Sequence, residues 1–281
     1  MLRHDNQSAD RQGYPVMASK GAPPVLTVQP SLVDDEGSPL RLVVFGDPGV
    51  GKTTLALSFP RPFIINTDEG LEGDALRMLR DRKGFQHSPE GHKDLEALYF
   101  FIRDHAEHFD TIVIDSLDGI TELLLDEIVD EGKGMRTAKT IGQSVTDFVP
   151  EQAEYLANQR QMRTFLTDIR RLGKIIVLTS AIREPKEAGD KKTVDVSPGL
   201  QRIVNRWASV MGELTVVSLD QDNPRVKSRV LVTDPGSARS VNKTRYAALL
   251  PYVIEPTYDK IASVIAADRE AYEASASTQG E

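Results

Sequence analysis

A mostly parallel α/β sheet flanked by helices, with an antiparallel hairpin toward the C-terminus, is the fold class that three observations predict. Short apolar, β-branched runs at 40–45, 63–65, 111–114 and 175–178 lack polar alternation, as strands buried on both faces do. Helical patterns separate them, so successive strands are joined by crossovers and run parallel. The first run leads directly into Gly46-Asp47-Pro48-Gly49-Val50-Gly51-Lys52-Thr53-Thr54, a match to G-x-x-x-x-G-K-[ST] placed between a strand and a helix. Folds of this class bind ligands at the carboxyl edge of the sheet.

Taken in order, residues 1–38 mix Gly, Pro, Ser, Asp and Gln with no period of 2 or 3.6, and read as a flexible tail. The ordered domain is expected over 39–252. Its first helix follows the Gly-rich loop and is ended by Pro60 and Pro62. The strand 63–65 runs into an acidic turn, Asn66-Thr67-Asp68-Glu69-Gly70. A helix from Asp94 precedes the strand 111–116, and a second, 119–129, follows it, leading to a loop at 132–139. The helix 151–172 places Leu156, Met162, Phe165, Leu166, Ile169 and Leu172 on one face, and Gly173 closes it. After the strand 174–180 comes a polar stretch, 183–192, too charged to pack and too long for a tight turn. Pro198 and Gly199 open a short helix through Trp207. A hairpin pairs 213–219 with 225–232 about the turn 220–224, and residues 253–281 are expected to form a helix and a disordered tail.

Composition narrows the function. With 281 residues, 40% of them hydrophobic, the chain can bury a substantial core. Zero cysteines exclude disulfides, thiolate metal sites and a cysteine nucleophile. There is no apolar run of the roughly 20 residues a membrane span needs, nor a signal-like N-terminus, so a cytoplasmic protein without a membrane partner is expected. A net charge of −8 means that any nucleic-acid contact must come from a local basic patch. His105 and His108 share a face but have no third ligand, so a metal site there is not expected.

The Gly-rich loop carries the chemistry. A polyphosphate needs a ring of backbone N–H donors, and Gly46, Gly49 and Gly51 let the loop curl around it while Asp47, Pro48 and Val50 contribute backbone. Lys52 supplies a point charge to the β- and γ-phosphates, Thr53 a hydroxyl for magnesium and Thr54 a further phosphate hydrogen bond. The implied cofactors are ATP and Mg2+. Ile112-Val113-Ile114-Asp115 is a buried strand ending in a carboxylate, the second element of such sites, and Asp115 is expected near the metal. Thr179 or Ser180, at the end of another strand, is placed to sense the γ-phosphate. Asn242-Lys243-Thr244-Arg245 lacks the aspartate of the guanine-reading Asn-Lys-x-Asp motif, which argues against a GTPase.

Ile112-Val113-Ile114-Asp115-Ser116 resembles the Walker B strand of the RecA/RadA recombinase core, and the order of parts resembles that core from Leu40 to Pro251. More narrowly, Gly51-Lys52-Thr53-Thr54-Leu55-Ala56, the Pro-rich step into Phe63, Ile114-Asp115-Ser116-Leu117 and Arg170-Arg171-Leu172-Gly173-Lys174 resemble compact phage-encoded RecA-like ATPases linked to single-strand annealing and recombination. The commoner AAA-type hydrolases carry a glutamate where Ser116 stands. The resemblance instead puts the water-activating acid at the tip of another strand, at Asp68 or Glu69. It implies single-stranded DNA as a partner, gripped by two basic loops, one with Lys133, Arg136 and Lys139, the other with Arg183, Lys186, Lys191 and Lys192. It also implies a homo-oligomer, ring or filament, in which Lys243 and Arg245 reach a neighbour's γ-phosphate. A single-strand-binding protein is a further implied partner, and a bacterial host's cytosol the location of a phage-encoded form. The alternative is a nucleotide-switched interaction protein with slow hydrolysis and no DNA partner.

Overall fold

The structure, a computed structural model, describes residues 39–68, 71–136, 150–218, 225–246, 248–249 and 251–267, with the backbone alone over 130–136. The expected tail 1–38, Glu69, Lys139, the hairpin turn 220–224 and the final residues 268–281 lie outside the described residues.

The apolar runs form β1 (Arg41–Phe45), β2 (Pro62–Asn66), β4 (Thr111–Asp115) and β5 (Ile175–Ser180), and nearly every side chain on them is buried. Helices α1 (Lys52–Leu57), α3 (His92–Asp104), α4 (Leu117–Arg136), α5 (Gln152–Arg171) and α6 (Pro198–Trp207) cover the two faces. Alternation along each strand divides the core. Val43, Phe45, Ile112, Ile114, Ile176 and Leu178 pack toward α3, α4, α5 and α6. Leu42, Val44, Val113 and Val177 pack on the opposite side, against α1 and the C-terminal segment. Helices on both faces are why these strands show no polar alternation.

The remaining strands are β3 (Phe85–His87), β8 (Val210–Ser218), β9 (Lys227–Val232), β10 (Lys243–Thr244) and β11 (Tyr252–Ile254), which give the sheet order β11-β9-β8-β1-β5-β4-β2-β3, with β10 also on β8. From β3 to β8 every neighbour is parallel, and β8–β9, β9–β11 and β8–β10 are antiparallel. The sheet is therefore mostly parallel, with antiparallel strands at its C-terminal side.

Three local expectations change. β3 and the preceding α2 (Asp74–Asp81) were not legible, because the exposed Phe85-Gln86-His87 offers neither an apolar run nor alternation. Helix α4 continues through Arg136, across residues 132–136 expected as a loop. A glycine inside a helix costs only about 1 kcal/mol, so Gly132 and Gly134 do not end it. The charged stretch 183–192 is anchored at both ends. β6 (Ile182–Arg183) pairs antiparallel with β7 (Thr193–Val194), while the Lys192 amide donates to Arg239 O (2.9 Å) and the Val241 amide to Lys192 O (2.8 Å). Backbone pairing, which charge patterning does not report, holds it.

The C-terminal segment also packs on the core. Ile261 in the helical residues 258–267 is buried, the Tyr258 amide donates to Ser58 Oγ (2.8 Å), and the Phe59 and Tyr258 rings lie 5.1 Å apart.

Candidate nucleotide site

The Gly-rich loop leaves the sheet between β5 and β8, where there is no room for a side chain. The Gly46 amide donates to Ser180 O (3.3 Å), and a Cβ at Gly46 would run into the Leu214 carbonyl oxygen. Gly51, the residue before α1, stands at φ 95°, a left-handed conformation that favours glycine. Asp47, Pro48 and Gly49 are exposed at the turn of the loop, and Val50 packs against the core beside α1.

Lys52 folds back over this loop, its Nζ donating to Gly46 O (2.8 Å) and Asp47 O (3.0 Å). Burial pushes the Lys52 pKa down, and the carboxylates of Asp118, Asp115 and Asp68 oppose that shift. A partly desolvated ammonium beside a concave run of backbone amides suits an anionic ligand.

Asp115 closes the site from β4. Thr53 Oγ1 donates to its Oδ2 (2.7 Å), and Thr179 Oγ1 donates to its Oδ1. Asp115 is 5% exposed, and among the described residues no Lys or Arg forms an ion pair with it. Its side-chain hydrogen bonds come from these two neutral hydroxyls, and Lys52 is the cation near it. Its oxygens and the Thr53 hydroxyl are the hard donors that magnesium prefers, so the residues present fit the ion, and the loop with Lys52 fits the phosphates it would bridge.

The tip of β2 lies against the backbone at the end of β4. The Thr67 amide donates to Asp115 O (2.8 Å), and Thr67 Oγ1 accepts from the Ser116 amide (2.9 Å) and donates to Ser116 O (3.0 Å) across the cis Asp115–Ser116 peptide. Asp68 follows, its amide directed at Asp115 O (3.3 Å). Burial raises the Asp68 pKa, Asp115 and Asp118 raise it further, and Lys52 opposes them. Asp68 thus joins Lys52, Thr53 and Asp115, whereas Glu69 lies outside the described residues.

β5 carries the contact outward. Ser180 Oγ donates to Ala181 O (2.9 Å) and accepts from the Asp195 amide (3.2 Å), just past β7. The Ala181 amide donates to Asp118 Oδ1 (3.0 Å). Asp118 was missed by motif reading; its signal is a second aspartate three residues after Asp115, in the first turn of α4.

Of the second basic loop, Arg183, Lys186 and Lys191 line one groove of about 410 Å3, joined by Arg202 and by the acidic Glu184 and Asp190. Arg183 Nη1 donates to Val196 O (2.8 Å) and Lys191 Nζ to Ser237 O (2.5 Å). Lys192 does not line the groove; it pairs with Glu184 at its edge (2.9 Å) and lies near the buried Glu213 (4.0 Å), the residue that pairs with Phe45 at the start of the Gly-rich loop. Lys133 and Arg136 fall on the last turns of α4, where side chains are outside the described residues.

Lys243 and Arg245 are not beside Lys52. They lie toward the amino end of β8, where Lys243 Nζ donates to Asn205 O (2.5 Å) and Arg245 Nη2 to Arg206 O (3.0 Å), both in the last turn of α6.

A family model described as an AAA domain (AAA_24) matches residues 38–246, most of the chain. The chain belongs to this AAA domain family. The matched AAA domain runs from just before β1 to just past β10, and β11 and the helical residues 258–267 follow it. No curated protein matches the chain in sequence. Membership makes this a P-loop ATPase module, a class that binds nucleotide, usually with Mg2+. In this AAA domain Ser116 follows Asp115, and the acids that join Asp115 around Lys52 include Asp68 of the β2 tip and Asp118 of α4. Among the described residues, no helix is long and apolar enough to cross a membrane.

Proposed function

We propose that the protein is an ATPase whose nucleotide state controls its grip on single-stranded DNA, working as an oligomer in recombination or annealing of the kind served by phage-encoded RecA-like proteins. The observation that carries this reading is a set of polar contacts that begins at Asp115 beside the Gly-rich loop and ends next to β7, which borders the basic groove. Thr53 and Thr179 both bond Asp115, and Ser180, next to Thr179, bonds the amide of Asp195 beyond β7. We infer that a change in the partners of Asp115 shifts this strand end and, with it, the adjoining β6–β7 pair, from which Arg183 and Thr193 line the groove.

In this mechanism the loop amides and Lys52 bind the phosphates, and Thr53 with Asp115 holds magnesium. The ion, when bound, offsets the charge that develops on the phosphate oxygens. Asp68 is the base: its raised pKa brings a carboxylate oxygen closer to the basicity needed to take a proton from water. Arg245, whose exposed side chain makes one hydrogen bond among the described residues, is the cation offered to a neighbouring subunit.

The test is the rate of ATP hydrolysis with and without a single-stranded oligonucleotide, together with binding as a function of salt. Stimulation is expected. Neutralising Arg183, Lys186, Lys191 and Lys192 together is expected to weaken binding and to flatten the log–log salt slope by roughly 0.7 for each phosphate no longer neutralised. An unchanged slope and an unstimulated rate would leave the alternative, a nucleotide-switched interaction protein with slow hydrolysis and no DNA partner.

A further inference from the structure

β9 brings an arginine to the Gly-rich loop that the phosphate-binding motif does not contain. Gly51 has no side chain, and the space its Cβ would enter is bordered by Arg229. Nη1 lies 3.1 Å and Cδ 3.3 Å from that position, and Thr54 Cβ is 3.8 Å away. Arg229 reaches across from the antiparallel part of the sheet to the first turn of α1.

The guanidinium is held from behind. Nε donates to Glu255 Oε2 (3.0 Å), Nη2 pairs with the same oxygen (3.0 Å), and the Arg229 amide donates to Glu255 Oε1 (2.8 Å). The Glu255 amide returns a bond to Arg229 O (2.7 Å), and Glu255 stands at φ 45°, a conformation that a non-glycine residue keeps only when its surroundings hold it there. These donations hold the Glu255 carboxyl below its ordinary pKa, so it stays ionised as the partner of Arg229. The edge bearing Nε and Nη2 is therefore occupied. Nη1 faces Gly51, and among the described residues it has no acceptor.

An oriented cationic donor at the edge of a loop built for anions has one obvious ligand class, a phosphate oxygen. We propose that Arg229 is a nucleotide-binding residue, acting in cis, whose Nη1 donates to the phosphate chain of a nucleotide on the Thr54 side of the loop. This rests on the nucleotide reading of the loop. Glu255 is the positioning residue: it fixes the fork so that little side-chain freedom is lost on binding.

The experiment measures equilibrium binding calorimetrically on the full chain with magnesium, using ADP, inorganic tripolyphosphate and adenosine as separate probes. Arg229→Gln is expected to weaken ADP and tripolyphosphate by about ten- to a hundredfold, the usual effect of losing a hydrogen bond to a charged group, and to leave adenosine unchanged. Arg229→Lys should recover part of the loss, since it keeps the charge without the fork. Unchanged ADP affinity in Arg229→Gln, alongside lost affinity in Lys52→Ala, overturns the role of Arg229 and keeps the loop as a nucleotide site. No ADP binding by the unaltered protein overturns both. The unaltered protein gives a second measurement that does not depend on how the variants fold: arginine modification by phenylglyoxal, mapped by mass spectrometry. ADP is expected to protect Arg229, and equal modification with and without ADP overturns the proposal.

Discussion

The two ends of the central strands handle charge in opposite ways. At the carboxyl ends, Asp68, Asp115 and Asp118 surround Lys52, and their close partners are hydroxyls and backbone amides. At the amino ends, Arg41, Lys243 and Arg245 gather without an ion pair to a carboxylate among the described residues, and each donates to a carbonyl closing α6: Trp207, Asn205 and Arg206. Burial and mutual repulsion push the pKa of Arg41 and Lys243 down. The last carbonyls of a helix need donors and carry the negative end of its dipole, and these side chains supply them. The amino-end cations thus already have acceptors within the chain, although Arg245 stays exposed, whereas the carboxyl end holds charge that an anion and a metal would complete. A cluster of cations does not by itself mark a site; what matters is whether its partners are already present.

The sharpest break of this contrast is Lys52→Ala. Removing the ammonium leaves phosphate charge uncompensated, and turnover is expected to vanish in a phosphate-release assay. Wild-type rates would mean that the carboxyl end is not where catalysis happens.

Arg245→Ala tests the other end. If Arg245 serves a neighbour, turnover should fall by about a thousandfold, the scale of an arginine supplied in trans. Mixing Arg245→Ala with Lys52→Ala should then restore part of the activity. No recovery in a mixture shown to assemble would confine the amino end to capping α6.

Asp68→Asn should lower kcat by about a hundredfold or more while sparing ATP binding, because the amide keeps the shape and loses the basicity. The pH profile carries the sign. The folded-state pKa of Asp68 is raised, so its base form is lost on acidification earlier than an ordinary carboxylate's. The rate should fall from above the usual carboxylate range, and Asp68→Asn should remove that limb.

The smallest effect is expected at Arg41. Arg41→Met keeps much of the packing but leaves the Trp207 carbonyl without its donor, for a loss of about 1–3 kcal/mol in a urea melt. ADP affinity should not change. A weakened affinity would show that the two ends are coupled through β1.

Much of the carboxyl end was legible in the sequence. The loop 46–54 is contiguous, and its spacing is set by the size of a phosphate chain, so local sequence carries the whole requirement. Asp115 needed only the rule that a buried strand exposes its last residue at the sheet edge. The pairing of Lys192 with Glu184 and Glu213 was not legible. On a charged loop every cation looks alike until a fold decides which one meets a buried carboxylate.

The sequence by itself determined the parallel α/β core, the Gly-rich loop after its first strand and the aspartate that ends β4, because each depends on residues close together in the chain or on a strand's burial on both faces. Only the tertiary structure decided the sheet order, the capping of α6 by Lys243 and Arg245, and the approach of Arg229 to Gly51. The physical reason is the same in all three: which carbonyl or glycine a long side chain meets is set by how distant strands pair, and no local pattern records that pairing.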